Sequence, residues 1–131
     1  LAASLSRMAE LFQRDTGIPT TFSGGDVHDP ADTEVSLEVL QIVREALNNI
    51  LKHASATRVA VTVARADHQL EISVEDNGGG FPFTGAFSLE ELELLRLGPV
   101  SIKRRVKALE GELALESGPG RGSKLAIRVP L

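Results

Sequence analysis

Two consecutive segments of apolar–polar alternation constrain the fold of this chain most. Residues 58–64 read Arg-Val-Ala-Val-Thr-Val-Ala, and residues 69–75 read Gln-Leu-Glu-Ile-Ser-Val-Glu. Alternation with period two predicts strands that bury one face, and the four-residue link between them predicts an antiparallel hairpin. The pattern breaks sharply at residues 76–80, Asp-Asn-Gly-Gly-Gly. The buried face of such a hairpin needs a second layer to cover it.

Segments with helical spacing of apolar residues supply that layer. Helices are predicted over residues 1–16, 33–54 (with Asp32 or Thr33 as cap) and 100–109, and further strands over residues 18–22, 112–116 and 123–129. These elements lack the regular strand–helix alternation of a parallel sheet. We therefore predict an α+β fold, a two-layer α/β sandwich. Its sheet is mixed and mostly antiparallel, with about five strands, and three main helices cover one face.

Composition narrows the classes of function. The chain has 131 residues, 42% hydrophobic and 24% charged, as expected of a single globular domain. The net charge of −4 gives no reason to expect a nucleic-acid partner, and the absence of cysteine excludes disulfides and thiolate sites. No apolar run approaches the roughly 20 residues that span a bilayer, so no membrane contact is expected. Because the chain begins at Leu1 rather than Met, inside a predicted helix, we expect residues 1–131 to be one domain excised from a longer protein, which a membrane anchor could hold. The lack of cysteine fits a reducing compartment, and a cytoplasmic location is expected.

The predicted second helix carries the first candidate site. At about 100° per residue, Glu45, Asn49 and Lys52 fall within an arc of roughly 60°. A carboxylate, an amide oxygen and an ammonium in a row suit a Mg-nucleotide, because the amide oxygen can bind Mg²⁺ and the ammonium can neutralise phosphate. The alternative is an ordinary solvated helix face.

The Asp-Asn-Gly-Gly-Gly break carries the second candidate site. Three glycines by themselves indicate only a loop with positive φ angles. A loop does not require Asp76 at the end of a strand, however. That carboxylate can accept a hydrogen bond from the exocyclic amine of adenine, while glycines let the backbone approach a ligand closely.

Two further segments are candidates for nucleotide contact. Gly98 precedes a helix whose N-terminal N–H groups can attract phosphate. Positive charge on that helix can add to the attraction or can equally be surface charge, and it comes from Lys103, Arg104, Arg105 and Lys107. Residues 118–123, Gly-Pro-Gly-Arg-Gly-Ser, form a tight turn by default, and the hydroxyl of Ser123 could join a polar network at the adenine.

Taken in order, these four segments resemble the nucleotide-binding boxes of the Bergerat ATP-binding fold. Histidine kinases, gyrase-type topoisomerases, Hsp90-type chaperones and mismatch-repair ATPases share this fold. Residues 45–53 are similar to its N-box and residues 76–80 to its first glycine box, while Gly98 and residues 120–123 stand where later glycine boxes belong. The resemblance runs from about Thr33 to Leu131. Glu-Ala-Leu-Asn-Asn-Ile-Leu-Lys-His-Ala and Val-Glu-Asp-Asn-Gly-Gly-Gly-Phe look most like two-component sensor kinases of the nitrate-sensor type.

The resemblance implies a role for each matching residue of the N-box-like helix. Asn49 would bind Mg²⁺, Lys52 would contact the phosphates, and His53 would lie near the nucleotide. Glu45 matches the position proposed to assist phosphoryl transfer.

The glycine boxes receive roles in the same way. Asp76 would recognise adenine, and Gly78 and Gly80 would shape the pocket around it. One region departs from the family pattern: Gly-x-Gly-Leu is usual in the second glycine box, whereas this chain has Arg-Leu-Gly-Pro at residues 96–99. Residues 81–98 would form the lid over ATP, with leucines that predict a short packed helix.

The function that follows is binding of Mg-ATP and donation of its γ-phosphoryl group to a histidine elsewhere. In the family this acceptor lies on a separate dimerisation domain of the same protein, and a response regulator is the downstream partner. Three alternatives remain open at this stage: a catalytically weakened nucleotide-binding regulatory module, an ATP-hydrolysing clamp, and a serine kinase of the same superfamily.

Overall fold

The computed structural model describes residues 1–27, 32–53, 55–79, 81–118 and 120–131, without the side chain of His53. Ten elements lie in these ranges. They are α1 (Ala2–Thr16), β1 (Thr20–Ser23), α2 (Thr33–His53), β2 (Val59–Ala66), β3 (Gln69–Asp76), β4 (Gly85–Ser88), α3 (Leu89–Leu94), α4 (Val100–Ala108), β5 (Glu112–Gly118) and β6 (Gly122–Pro130).

The six strands form one mixed sheet in the order β1-β2-β3-β6-β5-β4. The β1–β2 pair is parallel and every other pair is antiparallel. The predicted hairpin is present, since β2 pairs with β3 along their full lengths. The predicted α+β class with a mixed, mostly antiparallel sheet is confirmed.

The sheet register places the apolar residues of neighbouring strands on one face. Val61 lies opposite Val74, which lies opposite Leu125, and Leu125 lies opposite Leu115. All four side chains are buried. Because strand side chains alternate between faces, the residues between them form an outer face of small, polar and charged side chains.

Helices cover the apolar face. α1 lies against β1 and β2, α2 against β3, and α3 and α4 against β5. As the helical spacing predicts, α2 turns one stripe to the core, made of Val39, Val43, Leu47 and Ile50. α1 ends at Gly17, which has φ 76° and is the left-handed cap expected at a helix end. No helix in the described ranges is both long and apolar enough to cross a membrane.

The sheet has one strand more than the sequence predicts. Residues 85–88 pair with β5 at the sheet edge and place Phe87 opposite Leu115. Four residues with one large apolar side chain carry too little alternation to indicate a strand. The strand exists because the edge of β5 offers unpaired backbone groups to it. The short helix expected from the leucines is present as α3, and its Leu92 is fully buried.

Candidate functional site

The apolar face of the sheet becomes polar in its last cross-strand row. Asp76 lies opposite Ser123, and Ser123 lies opposite Ser117. These three residues share the face of Val74 and Leu125 but stand two positions nearer the strand ends. Together with Gly122 they are called the strand corner below. Asp76 and Ser117 are buried in this row, and buried polar side chains need hydrogen-bond partners.

Both carboxylate oxygens of Asp76 accept a hydrogen bond within the protein. Oδ1 accepts from the backbone N–H of Gly78 at 2.8 Å, and Oδ2 accepts from the hydroxyl of Ser123 at 2.6 Å. Asp76 is only 4% exposed. Since an ionised carboxylate can accept about four hydrogen bonds, this side chain is fixed in place with acceptor capacity left for a ligand.

A cavity of about 570 Å³ opens beside Asp76. This volume suits a drug-sized or nucleotide-sized ligand. The wall is mostly apolar with a few polar groups, and it consists of Ala46, Asn49, Ile50, Val74, Asp76, Gly79, Phe81, Pro82, Pro99, Ile102, Ser123 and Leu125. The structure thus brings the predicted Asn49, Asp76 and Ser123 to one cavity from α2, β3 and β6.

Glu45 lies one helical turn before Asn49 on α2, and its two carboxylate oxygens have different surroundings. Its Oε1 accepts hydrogen bonds from the Ser101 hydroxyl and from Nε of Arg105, each at 3.1 Å. Its Oε2 is buried and has no partner among the described residues. The carboxylate is therefore anchored through one oxygen, while the other oxygen can still accept a hydrogen bond or bind a cation.

Lys52 does not join this constellation, and two further predicted groups, the His53 side chain and Gly80, lie outside the described part of the chain. Lys52 is exposed on α2 and is not part of the cavity wall. α2 ends at His53, whose side chain lies outside the described part of the chain, and Gly80 also lies outside it. Of the first glycine box, Gly78 is buried under Asp76 and Gly79 lines the cavity.

Gly122 is the glycine that the strand corner requires most. Its φ is +83°, and a Cβ there would collide with the carbonyl oxygen of Asp76 and lie 2.7 Å from the carbonyl carbon. Only a residue without a side chain lets β6 begin this close to the end of β3. The close approach of β6 to Asp76 therefore depends on a glycine at position 122.

The segment of residues 81–84 contributes to the cavity wall through its first two residues. The backbone N–H of Phe81 donates to the Ser117 hydroxyl at 2.7 Å, which attaches this segment to the strand corner. The rings of Phe81 and Phe83 stack at 5.4 Å, and Phe83 meets Phe87 of β4 edge-on at the same distance. Phe81 and the next residue, Pro82, line the cavity.

The altered second glycine box forms the turn into α4. Gly98 has φ +84°, and a Cβ added there would lie 3.5 Å from the side chain of Leu92 and 3.7 Å from that of Leu115. The cavity wall contains its neighbour Pro99 and also Ile102 of α4 rather than Gly98 itself. A helix start survives here although proline follows the glycine, because proline is tolerated where no N–H partner is required.

Three of the four basic residues of α4 contact the protein itself. Lys103 donates to the carbonyl oxygen of Leu97, Lys107 pairs with Glu93 at 3.1 Å, and Arg105 bridges Glu38 and Glu45. Hydrogen bonds to Glu38 and then to Glu45 raise the pKa of Arg105 above its ordinary value, so this guanidinium stays charged. The two ion pairs of Arg105 thus connect α2 to α4 next to the cavity.

Asn77 has a positioning role that sequence reasoning missed. Its Oδ1 accepts hydrogen bonds from the backbone N–H groups of Thr57 and Arg58 at 3.0 and 2.9 Å, and its Nδ2 donates to the Thr57 hydroxyl at 2.9 Å. These bonds hold the segment after α2 to the end of β3. The available signal is weak, because asparagine in a turn bonds nearby backbone for many purposes.

The chain is an α+β domain with a nucleotide-sized cavity at one end of its sheet and a buried carboxylate in the cavity wall. These features are typical of a domain that binds a small molecule. The family model of histidine kinase-, DNA gyrase B- and HSP90-like ATPases matches residues 34–131. The chain belongs to this family.

Individual relatives indicate which members of this family the chain is most similar to in sequence. The signal transduction histidine-protein kinase/phosphatase DegS of Brevibacillus brevis is 29% identical over the whole chain, which spans 32% of that protein. The nitrate/nitrite sensor protein NarX of Escherichia coli (strain K12) is 34% identical over 92 residues, 70% of this chain and 14% of the sensor. Sensor kinases are therefore its relatives, and the nitrate sensor is one kind among several.

A solved structure agrees with the sequence relatives. The histidine kinase domain of the blue-light-activated histidine kinase EL346 from Erythrobacter litoralis has a TM-score of 0.77 at 26% identity. The match covers 99% of this chain and 60% of that domain. The six-stranded sheet and its helices therefore have a counterpart in a histidine kinase.

Proposed function

We propose that this chain is the catalytic ATP-binding domain of a sensor histidine kinase and that it lies in the cytoplasm. It binds Mg-ATP and presents the γ-phosphoryl group to a histidine on a separate dimerisation domain of the same protein. A response regulator then receives the phosphoryl group from that histidine. The observation that carries the proposal is Asp76, a buried carboxylate fixed by two hydrogen bonds at the wall of a nucleotide-sized cavity. The relatives are sensor kinases, which favours a kinase over a clamp-type ATPase.

Asp76 recognises adenine in this proposal. The carboxylate accepts a hydrogen bond from the exocyclic amine, which guanine and pyrimidine bases do not present at the same place. Val74, Leu125 and Ile50 line the same cavity and supply apolar surface for the ring. A buried charged acceptor gives specificity because a base without the amine leaves it unpaired.

Asn49 fits a Mg²⁺ ion that arrives with the nucleotide. Mg²⁺ prefers oxygen ligands and commonly takes one or two from the protein and the rest from phosphate and water. Asn49 lines the cavity, so its amide oxygen can take one of these places. The bound ion would draw charge from the phosphates, while Asn49 orients it.

Glu45 assists transfer through the same free oxygen. Phosphoryl transfer depends mainly on positioning and charge neutralisation, so one acidic helper is sufficient. Arg105 and Ser101 hold Oε1, which leaves Oε2 as the oxygen that can accept a hydrogen bond from the attacking imidazole. In this proposal Lys52 and His53 act at the outer end of the nucleotide, and Gly78 and Gly80 shape its inner end. Residues 81–98 form the lid.

The acceptor histidine belongs to another domain. His68 lies in the turn between β2 and β3, at the opposite end of β3 from Asp76, and His28 lies outside the described residues. We therefore expect the chain alone to bind nucleotide without autophosphorylation. Formation of acid-labile phosphohistidine on the isolated chain would contradict this assignment.

Calorimetric titration with a non-hydrolysable ATP analogue tests the site. Because Asp76 contacts the base, Asp76→Ala should weaken binding about 10- to 100-fold with or without Mg²⁺, the range for losing a hydrogen bond to a charged group. Asn49→Ala should weaken binding only when Mg²⁺ is present. Asn48→Ala, an exposed neighbour on the same helix, is the matched control and should bind as the unmodified chain does. Unchanged affinity in Asp76→Ala would place the nucleotide elsewhere.

A further inference from the structure

Lys103 is a buried ammonium that the proposed function does not use. Its side chain belongs to the first turn of α4, and the residue is 8% exposed. Nζ donates to the backbone carbonyl oxygen of Leu97 at 2.7 Å. In the described part of the chain it forms no ion pair with a carboxylate, whereas Lys107 on the same helix pairs with Glu93.

The position of this charge is costly to the protein alone. A buried ammonium loses its hydration, and one neutral carbonyl compensates only part of that loss. The N-terminal end of a helix carries partial positive charge, which further disfavours a cation in its first turn. A site that concentrates positive charge in this way favours an anion nearby.

The residues around Lys103 connect it to the cavity. Its neighbour Ile102 lines the cavity, and so does Pro99, whose carbonyl oxygen accepts the Lys103 backbone N–H at 3.0 Å. Leu97 comes two residues before Pro99. Lys103 therefore contacts both ends of the turn that leads from the altered glycine box into α4, Leu97 through its ammonium and Pro99 through its backbone N–H.

We propose that Lys103 is a positioning residue for the phosphates of the bound nucleotide. Its ammonium fixes the turn of residues 97–99 through Leu97, and its unpaired charge raises the positive potential at the start of α4. In a chain that has one glycine fewer in this box, the lysine tether supplies the order that the turn needs. This inference rests on the proposed function and adds a residue that acts on phosphate rather than on the base.

The test compares ligands with and without phosphate. In calorimetry on the chain, Lys103→Met should weaken the binding of ADP and of a non-hydrolysable ATP analogue about tenfold, as expected for loss of a charge-assisted interaction. Adenosine, measured by competition with ADP, should bind Lys103→Met and the unmodified chain within about twofold, since it lacks the group on which Lys103 acts. Lys107→Met, the matched control on the same helix, should leave all three affinities unchanged.

Two outcomes would overturn the proposal. Equal losses for adenosine and ADP would show that Lys103 only maintains the fold, and no loss for ADP would show that it does not act on phosphate. If Lys103→Met does not fold, as judged by circular dichroism, Lys103→Gln carries the same comparison because it keeps a hydrogen-bond donor without the charge. Asp76→Ala separates the two hypotheses: it should weaken adenosine and ADP alike, and its failure to do so would count against the ATP site itself.

Discussion

The strand corner and the segment of residues 81–98 reach the same cavity by different means. Asp76, Ser117 and Ser123 are aligned by strand register, and their hydrogen bonds cross adjacent strands. Residues 81–98 are held by scattered contacts: the bond from Phe81 to Ser117, the pairing of β4 with β5, and the burial of Leu92.

The difference shows how one cavity can combine a fixed wall with an adjustable one. Many backbone hydrogen bonds together fix the register of a sheet. A substitution in the strand corner therefore changes the surroundings of Asp76 directly, because the strands cannot shift to accommodate it. Segment 81–98 depends on a four-residue edge strand and a six-residue helix. Elements this short open at lower free energy than the central strands. In the proposed function, the fixed wall would recognise the base and the other wall would give access to the phosphates.

Gly122→Ala should have the largest effect on the strand corner. The added Cβ would collide with the Asp76 carbonyl and force a strained φ, so we expect a loss of about 4 kcal/mol in the free energy of unfolding, the sum of overpacking and backbone strain. Gly120→Ala is the matched control, because Gly120 also has positive φ but open space around its Cα. It should cost about 1 kcal/mol from strain alone. Urea denaturation measures both, and equal losses would mean that the close approach to Asp76 is not tight.

Leu92→Ala should have the next largest effect and tests how firmly residues 81–98 are attached. Truncating this fully buried side chain leaves a cavity between α3 and β5, which typically costs about 3 kcal/mol. Leu94→Ala on the same helix is the control, since Leu94 is 84% exposed and its loss should cost little. Thermal and urea unfolding report the difference. If Leu92→Ala instead leaves global stability unchanged, α3 opens separately from the core and residues 81–98 are more mobile than their packing indicates.

Ser88→Ala should have the smallest effect, confined to α3. The Ser88 hydroxyl accepts from the Glu91 backbone N–H at 3.2 Å, and Glu91 accepts from the Ser88 N–H at 3.0 Å, which together form a capping box. Its removal should destabilise the helix by about 1 kcal/mol. Amide hydrogen exchange should quicken in α3 while β3 and β6 stay protected. Faster exchange in the strand corner as well would show that the two regions are coupled.

Much of the strand corner could be predicted from the sequence. Alternation in residues 58–64 and 69–75 gave the hairpin, and the abrupt break placed Asp76 at the strand end. The helical spacing of α2 placed Asn49 on the polar side of the helix, and Asn49 lines the cavity beside Ala46 and Ile50. These features depend on local periodicity, which the residues themselves carry.

Other parts of the site could not be predicted from the sequence. The helical wheel groups Glu45 with Lys52, yet Glu45 contacts α4 through Ser101 and Arg105 while Lys52 is exposed. The fourth basic residue of α4, Arg104, is exposed, whereas Lys103, Arg105 and Lys107 each contact a protein group. A wheel gives the direction of a side chain but not the element it will meet.

The sequence by itself determined the two layers of this protein, its central strands and the identity of its candidate ATP site. These follow from hydrophobic period and from glycine and aspartate at the ends of strands. Only the tertiary structure revealed the edge strand β4, the burial of Lys103 and the hydrogen bonds that anchor Glu45. The edge strand and the anchoring of Glu45 join residues far apart in the chain, and the burial of Lys103 depends on the elements that pack around it. These contacts are known only after the sheet and helices have packed, because pairing energy at an edge or between helices has no local signature.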